Sequence, residues 1–152
     1  MTRTIPSREQ LDLLDWSAPE TVAAFDPFLI RANNFGGRLS RSISISLDTC
    51  GLSRSEVADR MSVHSGSKVS LNILNAYASV ARDGHQISVP RFEALMAATR
   101  DRRLAQVLVD DHGWAVIEKR YLPMIEIGML TEQKTRLAAR ERALRSQARR
   151  GM

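Results

Sequence analysis

The sequence is short of the residues that build disulfide-linked, metal-binding and β-rich proteins. Among 152 residues it has one cysteine, Cys50, which excludes an internal disulfide and any site with several cysteine ligands. Aromatic residues make up only 5%, and there are 8 Gly and 5 Pro. Ala, Leu and Arg are frequent instead, a mixture that favours helices over sheets. We therefore expect an all-α protein in a reducing, cytoplasmic setting.

Long apolar runs are also missing. The chain contains no run of 18 apolar residues, and its first ten residues, MTRTIPSREQ, have no hydrophobic signal core. With 43% hydrophobic and 26% charged residues, the chain can still bury a core and stay in solution. We expect neither a membrane span nor a secretion signal.

The net charge of +5 is concentrated near the C-terminal end. Residues 134–150 hold seven Lys and Arg against the single acid Glu141, so the rest of the chain is close to neutral. Leu130, Leu137 and Leu144 recur every seven residues in this region, although charged Lys134 and Glu141 lie between them. The basic segment therefore has three interpretations: it follows DNA phosphates, it forms a homodimer with a second copy, or it lies on an anionic membrane. The first two are equally favoured, and the membrane is least favoured because anchoring aromatic residues are missing.

Three regions follow from the patterning: an N-terminal arm (1–37), a helical domain (38–113), and a linker with a long basic C-terminal helix (114–152). In the arm, PSREQLDLLDW predicts a short helix capped by Ser7. The arm also mixes breakers with apolar side chains that could be buried, so we expect it to wrap the domain. The breakers are Pro19, Pro27, Gly36 and Gly37, and the apolar side chains are Phe25, Phe28, Leu29 and Ile30.

Five short helices are predicted in the central region. Residues 38–49 place Leu39, Ile43 and Leu47 four apart, and although SISIS also fits a strand, Gly51 just beyond favours a helix. Ser53 and Glu56 form a capping-box pattern at the start of the second helix. The segment SVHSGSKV is predicted to be a turn or loop.

The remaining elements follow from caps and apolar spacing. Ser70 is predicted to cap a helix over 71–81 with Ile73, Leu74, Tyr77 and Val80 inward, and Pro90 to open the next. A fifth helix buries Leu104, Val107 and Leu108 and ends at Gly113. WAVIEKRYLPM predicts a short extended segment over the core, and a long helix starts at about Glu126.

The central helices resemble the phage-repressor (Cro-like) type of DNA-binding domain. LSRSEVADRMSV resembles the first helix of its helix-turn-helix, with Ser53 at the start, Ala58 at the position kept small, and Met61 and Val63 entering the core. VSLNILNAYAS resembles the recognition helix, and ISVPRFEALMAATRDRRLAQVL resembles the two helices that close the core. The resemblance implies a five-helix, repressor-like helix-turn-helix core between the arm and the C-terminal helix.

The turn of this motif departs from the usual pattern. Aligning Val63 and Ser70 as neighbours leaves HSGSKV as six extra residues, which lets the two helices change their angle. The stretch is therefore either a DNA reader with a lengthened turn or a pair of core helices joined by a loop.

A second resemblance covers most of the chain. LLDWSAPE, CGLSRSEVADRMS, LNAYASVARDGHQIS and AVIEKRYLP are similar to segments of a family of small proteins of Mu-like prophages. The resemblance implies a role in the regulatory and transposition region of such elements.

If the motif binds double-stranded DNA, its outward side chains would read bases and the surrounding cations would hold phosphates. The recognition helix carries no Arg or Lys, so it lacks the commonest guanine contact, whereas asparagine suits an adenine edge and leucine a thymine methyl. The predicted base contacts are Ser70, Leu71, Asn72, Asn75 and Ser79. The predicted phosphate contacts are Arg54, Arg60, Lys68, Arg82, Arg136 and Arg140.

Nothing in the sequence favours an enzyme, a cofactor or a small-molecule substrate. His64, His85, His112 and Cys50 match no metal-ligand spacing, and no G-x-S-x-G or phosphate loop occurs. Asp110 and Asp111 are adjacent, so on a helix they would point in different directions. The alternative to DNA binding is a non-catalytic helical adaptor that grips another phage or host protein through the apolar arm and the C-terminal helix.

Overall fold

The protein is all-helical in a computed structural model that describes residues 21–81 and 86–151. None of the described residues forms a strand, which confirms the predicted all-α class. The helices are α1 (Phe35–Thr49), α2 (Arg54–Ser65), α3 (Leu71–Tyr77), α4 (Val89–Thr99), α5 (Arg103–Val109) and α6 (Leu122–Arg150), with 3₁₀ turns at Asp110–His112 and Lys119–Tyr121.

The helix starts follow from capping residues. The Ser53 hydroxyl accepts from the backbone N–H of Glu56, whose carboxylate accepts from the N–H of Ser53 at 2.8 Å, so the predicted capping box is confirmed. Ser70 caps α3 by accepting from Ile73, and Pro90 lies in the first turn of α4, both as predicted. Each satisfied cap supports its helix by about 1 kcal/mol.

The core lies where α2 packs on α4 and α1 packs on α5, with α3 against α2. Its fully buried side chains come from all five helices, and they include Ile43, Met61, Leu74, Leu95 and Leu104. Burial of each such side chain contributes roughly 1.5–3 kcal/mol. These helices, residues 35–109, are called the body below.

The described part of the arm packs on the body. Phe25 and Ile30 are buried in the core, whereas Phe28 and Leu29 are exposed, so the prediction holds for one pair and is wrong for the other. The chain turns at Asp26, whose carboxylate accepts from the N–H of Phe28, and only one side of this turn faces the core. The helix predicted within PSREQLDLLDW lies outside the described residues.

The first helix starts earlier than predicted. Asn34 caps α1 by accepting from the N–H of Gly37 at 2.8 Å, so both glycines lie in the first helical turn and do not break the chain. A Cβ at Gly37 would lie 3.0 Å from the Cβ of Ala32, a tight contact, so this turn favours a residue without Cβ. The expected helix over 38–49 is therefore confirmed, and α1 crosses the predicted boundary at 37/38.

Three residues predicted to be buried are exposed. Val63 follows the buried Met61 by two positions, which places it on the opposite side of α2. Val80 lies beyond α3, which ends at Tyr77 and not at residue 81. On α5, Leu104 and Val107 face the core, while Leu108 is one step further round the helix and is 40% exposed.

The turn after α2 is shorter than predicted because α2 continues through Ser65. Gly66 ends the helix with a left-handed φ of +66°, leaving residues 66–70 as the connection. Val69 is buried, and its N–H donates to the Ser62 hydroxyl at 2.8 Å. The sequence run HSGSKV is therefore partly helix and partly a loop anchored in the core.

Residues 114–118 connect the body to α6 without regular secondary structure. The extended segment predicted over WAVIEKRYLPM is wrong for its second half, which forms the 3₁₀ turn Lys119–Tyr121 and the start of α6. Buried Gln106 holds this connector, since its side chain donates to the Trp114 carbonyl at 3.1 Å and accepts from the Val116 N–H at 2.7 Å. The long helix then starts at Leu122, four residues earlier than predicted, with Pro123 in its first turn.

Among the described ranges there is no helix whose length and hydropathy would let it cross a bilayer.

Candidate nucleic-acid interface

The outward face of α3 carries three of the predicted base-contacting residues. Leu71, Asn72 and Asn75 are exposed, while Leu74 and Tyr77 on the other side are buried. The Tyr77 hydroxyl still has a partner, because the guanidinium of Arg91 on α4 donates to it. The short helix is therefore fixed to the body by its inner side chains and presents two amides and a leucine to solvent.

Arg54 joins this face to the start of α2. Its guanidinium donates to Asn75 Oδ1 at 3.0 Å and to Asp48 Oδ1 at 2.9 Å, with the Ser44 hydroxyl at 3.5 Å. The Asn75 amide is thus held through its oxygen, and its NH2 group remains available as a donor in the described part of the chain. The three helices α1, α2 and α3 meet at this one arginine.

Sequence reasoning missed this role of Arg54. It was predicted to contact phosphate, but its side chain is only 33% exposed and is already shared among three partners. Asp48 and Ser44 did not stand out in the sequence, since they lie on a different helix from Arg54 and no spacing rule links them. The carboxylate of Asp48 reduces the positive charge that Arg54 offers to an anion.

Two other predicted phosphate contacts, Arg60 on α2 and Lys68 in the α2–α3 loop, are exposed. Arg60 lies near Glu56, whose pKa is lowered mainly by the hydrogen bond from the Ser53 backbone and to a smaller extent by Arg60. Arg82 lies outside the described residues. Of the predicted phosphate contacts, Arg60 on α2 and Lys68 in the loop before α3 are thus accessible to solvent.

Arg136 and Arg140 lie on α6, far along the chain from α3. Both are exposed, and Arg136 pairs within its own helix with Glu132. Their side chains make no hydrogen bond or ion pair with the described residues of the body. The basic segment is thus a separate cationic surface.

The two predicted base contacts at the ends of the helix have different outcomes. Ser79 was placed on the outward face of the recognition helix, which is wrong because α3 ends at Tyr77. The backbone N–H of Ser79 donates to the Ala76 carbonyl in the turn that follows. Ser70 is the N-cap, and its hydroxyl accepts from Ile73 at 3.3 Å.

A basic cleft that the sequence did not reveal lies at the start of α1. Arg31, Asn34, Arg41 and Val80 are among the residues that line this open cavity of about 410 Å³. Arg31 precedes α1 and Arg41 lies on its second turn, so their proximity depends on the turn made by residues 31–34.

The other polar clusters have structural partners. His64 contacts Glu93 at 2.7 Å, and no group of three potential metal ligands occurs in the part of the chain that the structure describes. Asp110 accepts from the Gln106 amide, while Asp111 pairs with Arg38, which lowers the pKa of Asp111. The adjacent carboxylates thus have separate partners and do not form a pair.

Comparison with known proteins gives no relative: no family model, no curated protein and no solved structure matches the chain.

Proposed function

We propose that this chain is a phage-derived, sequence-specific DNA-binding protein that regulates transcription or transposition of a mobile element in the cytoplasm, without catalysis. In this proposal α2, the 66–70 loop and α3 act as a helix-turn-helix, and α3 enters the major groove of double-stranded DNA. The family resemblance of the sequence supports the phage origin.

The observation that carries the proposal is the contact of Arg54 with Asn75. An asparagine reads adenine by accepting from N6 and donating to N7, which requires a defined amide orientation. The guanidinium of Arg54 fixes Oδ1 of Asn75 at 3.0 Å, and the second lone pair of that oxygen can still accept from a base. Asn72 lies nearby on the same exposed face, with no hydrogen-bond partner among the described residues.

The lengthened loop between α2 and α3 is compatible with base reading by α3. Val69 is buried and tied to Ser62, so the loop fixes α3 to the end of α2. Lys68 is exposed one residue before this anchor. A cation at that place can contact a phosphate beside the groove while α3 contacts bases.

The first test is fluorescence anisotropy of the purified chain on a random duplex and on DNA flanking its own gene, across a salt series. Tighter binding to the flanking DNA that persists at physiological salt supports a sequence-specific regulator. Weak binding that is equal on both duplexes and vanishes with salt would contradict it.

Replacing both outward asparagines tests base reading directly. Asn72→Ala with Asn75→Ala should remove the preference for the flanking DNA, at a cost of about 1–3 kcal/mol for each base that is no longer read and with non-specific affinity nearly unchanged. Asn33→Ala, an exposed asparagine outside α3, serves as the matched control. Equal weakening on specific and random duplexes would argue against direct base reading by α3.

The second candidate function is a non-catalytic adaptor for another phage or host protein. The observation that favours it is the exposed apolar surface at the start of α6, which includes Met124, Ile127 and Met129. Asp48 beside Arg54 also favours the adaptor, because a carboxylate near the α3 face repels DNA phosphates. Absence of specific DNA binding in the anisotropy series is the result expected of an adaptor.

A further inference from the structure

The C-terminal helix α6 is exposed along its whole length. It has 29 residues, which is about 43 Å of helix, and none of them is buried. Ile127, Leu130, Leu137 and Leu144 are each more than half exposed, and they lie on one stripe with Lys134 and Glu141 between them. A helix of this length normally owes its stability to an apolar face packed on a partner, and the described part of the chain buries no residue of α6.

We propose that the occupant of this stripe is α6 of a second copy, packed antiparallel. The proposal is independent of DNA binding, because it depends only on the exposure and charge of α6. We call the stripe of Ile127, Leu130, Lys134, Leu137, Glu141 and Leu144 the seam.

The charges within the seam decide the orientation. In a parallel pair, equivalent core positions face each other, so Lys134 would meet the partner's Lys134 and Glu141 would meet the partner's Glu141. In an antiparallel pair, Lys134 faces the partner's Leu137 and Glu141 faces the partner's Leu130. Lys134 then lies one layer from the partner's Glu141, within reach of a long side chain, and one layer in the other direction from the partner's Lys134. Each Lys134 thus gains an opposite charge, and the two lysines no longer share a layer as they would in the parallel pair.

The charge along the helix favours the same orientation. Residues 122–133 carry Glu126 and Glu132 and no Lys or Arg, whereas residues 134–150 carry a net charge of +6. Antiparallel packing places each acidic half beside a basic half, while parallel packing places the two basic halves together. With Ile127 opposite the partner's Leu144, the two helices also overlap over nearly their full length.

Several cations remain on the outer surface of such a pair. In a seven-residue repeat that starts at Leu130, the positions of Arg136, Arg142 and Arg149 lie away from the seam. The pairing therefore leaves these three cations free for a polyanion, whereas Arg140, next to Glu141, flanks the seam.

The test is sedimentation equilibrium of the full chain over a concentration series. The wild type should associate to a dimer, and Leu130→Gln with Leu137→Gln should weaken the association by about a hundredfold or more. Met129→Gln is the matched control, because Met129 is equally exposed on α6 but lies off the seam. A wild type that stays monomeric up to about 100 μM, or a control that weakens association as much as the seam variant, overturns the proposal and leaves the seam to another protein.

Charge reversal tests the orientation without removing apolar surface. Lys134→Glu should weaken an antiparallel dimer about tenfold by placing like charges one layer apart, and adding Glu141→Lys should restore it. In a parallel dimer the single change replaces one like-charged pair by another, so association would stay the same. That result would overturn the antiparallel assignment. DNA affinity is measured on the same variants. A chain that does not dimerise but binds DNA, or the reverse, then separates the dimer proposal from the proposed function.

Discussion

At the scale of single residues, Arg103 and Asp101 show how the arm, α1 and α5 are joined. The guanidinium of Arg103 lies 4.4 Å from the ring centre of Phe25, donates to the Thr49 hydroxyl at 2.9 Å and binds both oxygens of Asp101. Burial raises the pKa of Asp101, but the hydrogen bonds and charge of Arg103 outweigh it and hold that pKa below its usual range. The carboxylate thus orients the arginine that holds the arm.

Asp101→Asn should destabilise the protein by roughly 1.5–3 kcal/mol at pH 7, because it removes a charged hydrogen-bond acceptor. The folded-state pKa of Asp101 lies below the unfolded value of about 3.9, so its contribution is fully present above that pH and is lost as pH falls further. Urea unfolding midpoints of wild type and variant should therefore converge as the pH falls below about 4.

Asp59→Asn is the control for this pH series, since Asp59 is exposed on α2 and makes no ion pair with the described residues. A stability difference between Asp101→Asn and wild type that stays constant from pH 7 to pH 3 would show that the carboxylate charge is unimportant.

At the scale of elements, the helix starts that carry a local capping residue or proline were predictable, whereas the start of α6 and the end of α3 were not. Ser53, Ser70 and Pro90 act locally, through hydrogen bonds or ring geometry within three or four residues, so their positions in the sequence were sufficient. The end of α3 at Tyr77 has no such local signal, because ASVA continues the helical pattern. There the fold depends on packing between distant segments, which a single sequence does not display.

In the candidate site, too, some features could be predicted from the sequence and others could not. The outward positions of Leu71, Asn72 and Asn75 follow from the helical period once the buried Leu74 and Tyr77 are recognised. The contact between Arg54 and Asn75 spans 21 residues and requires the angle between α2 and α3, so no sequence spacing predicts it.

Gln106 ties the middle of the connector to α5 and the Arg102–Glu118 ion pair ties its end, so Gln106→Leu should release the connector around Val116. Leucine has similar volume but cannot accept from the Val116 N–H, and hydrogen exchange at that amide should rise about tenfold or more. Gln133→Leu, on the exposed surface of α6, is the control, and the Ile73 amide is the internal reference. Unchanged protection at Val116 would mean that other contacts, among them the Arg102–Glu118 ion pair, hold the connector.

At the scale of the whole molecule, the body and the basic helix should make separable contributions. Removing residues 134–152 should leave the unfolding free energy of the body nearly unchanged, because the described residues of that segment bury nothing. If this segment meets phosphates, the slope of log affinity against log salt should fall by about 0.9 for each phosphate that the segment neutralises.

The double variant Arg136→Gln and Arg140→Gln tests two cations of this segment without shortening the chain. Both side chains are exposed, and no apolar residue of the seam is changed. An unchanged salt slope in the truncated chain would assign the basic segment to protein contacts.

The position of α6 after the body also sets an order in time. Every buried hydrophobic residue of the described core, from Phe25 to Val107, is synthesised before α6 begins. At about 5–20 residues per second, the residues from Val107 to Arg150 take roughly 2–9 s to add, whereas helices form and collapse proceeds in microseconds. The sequence of the body is therefore complete before that of the basic helix, and pairing of α6 with a second molecule follows as a bimolecular step whose rate depends on how much of the protein the cell has already made.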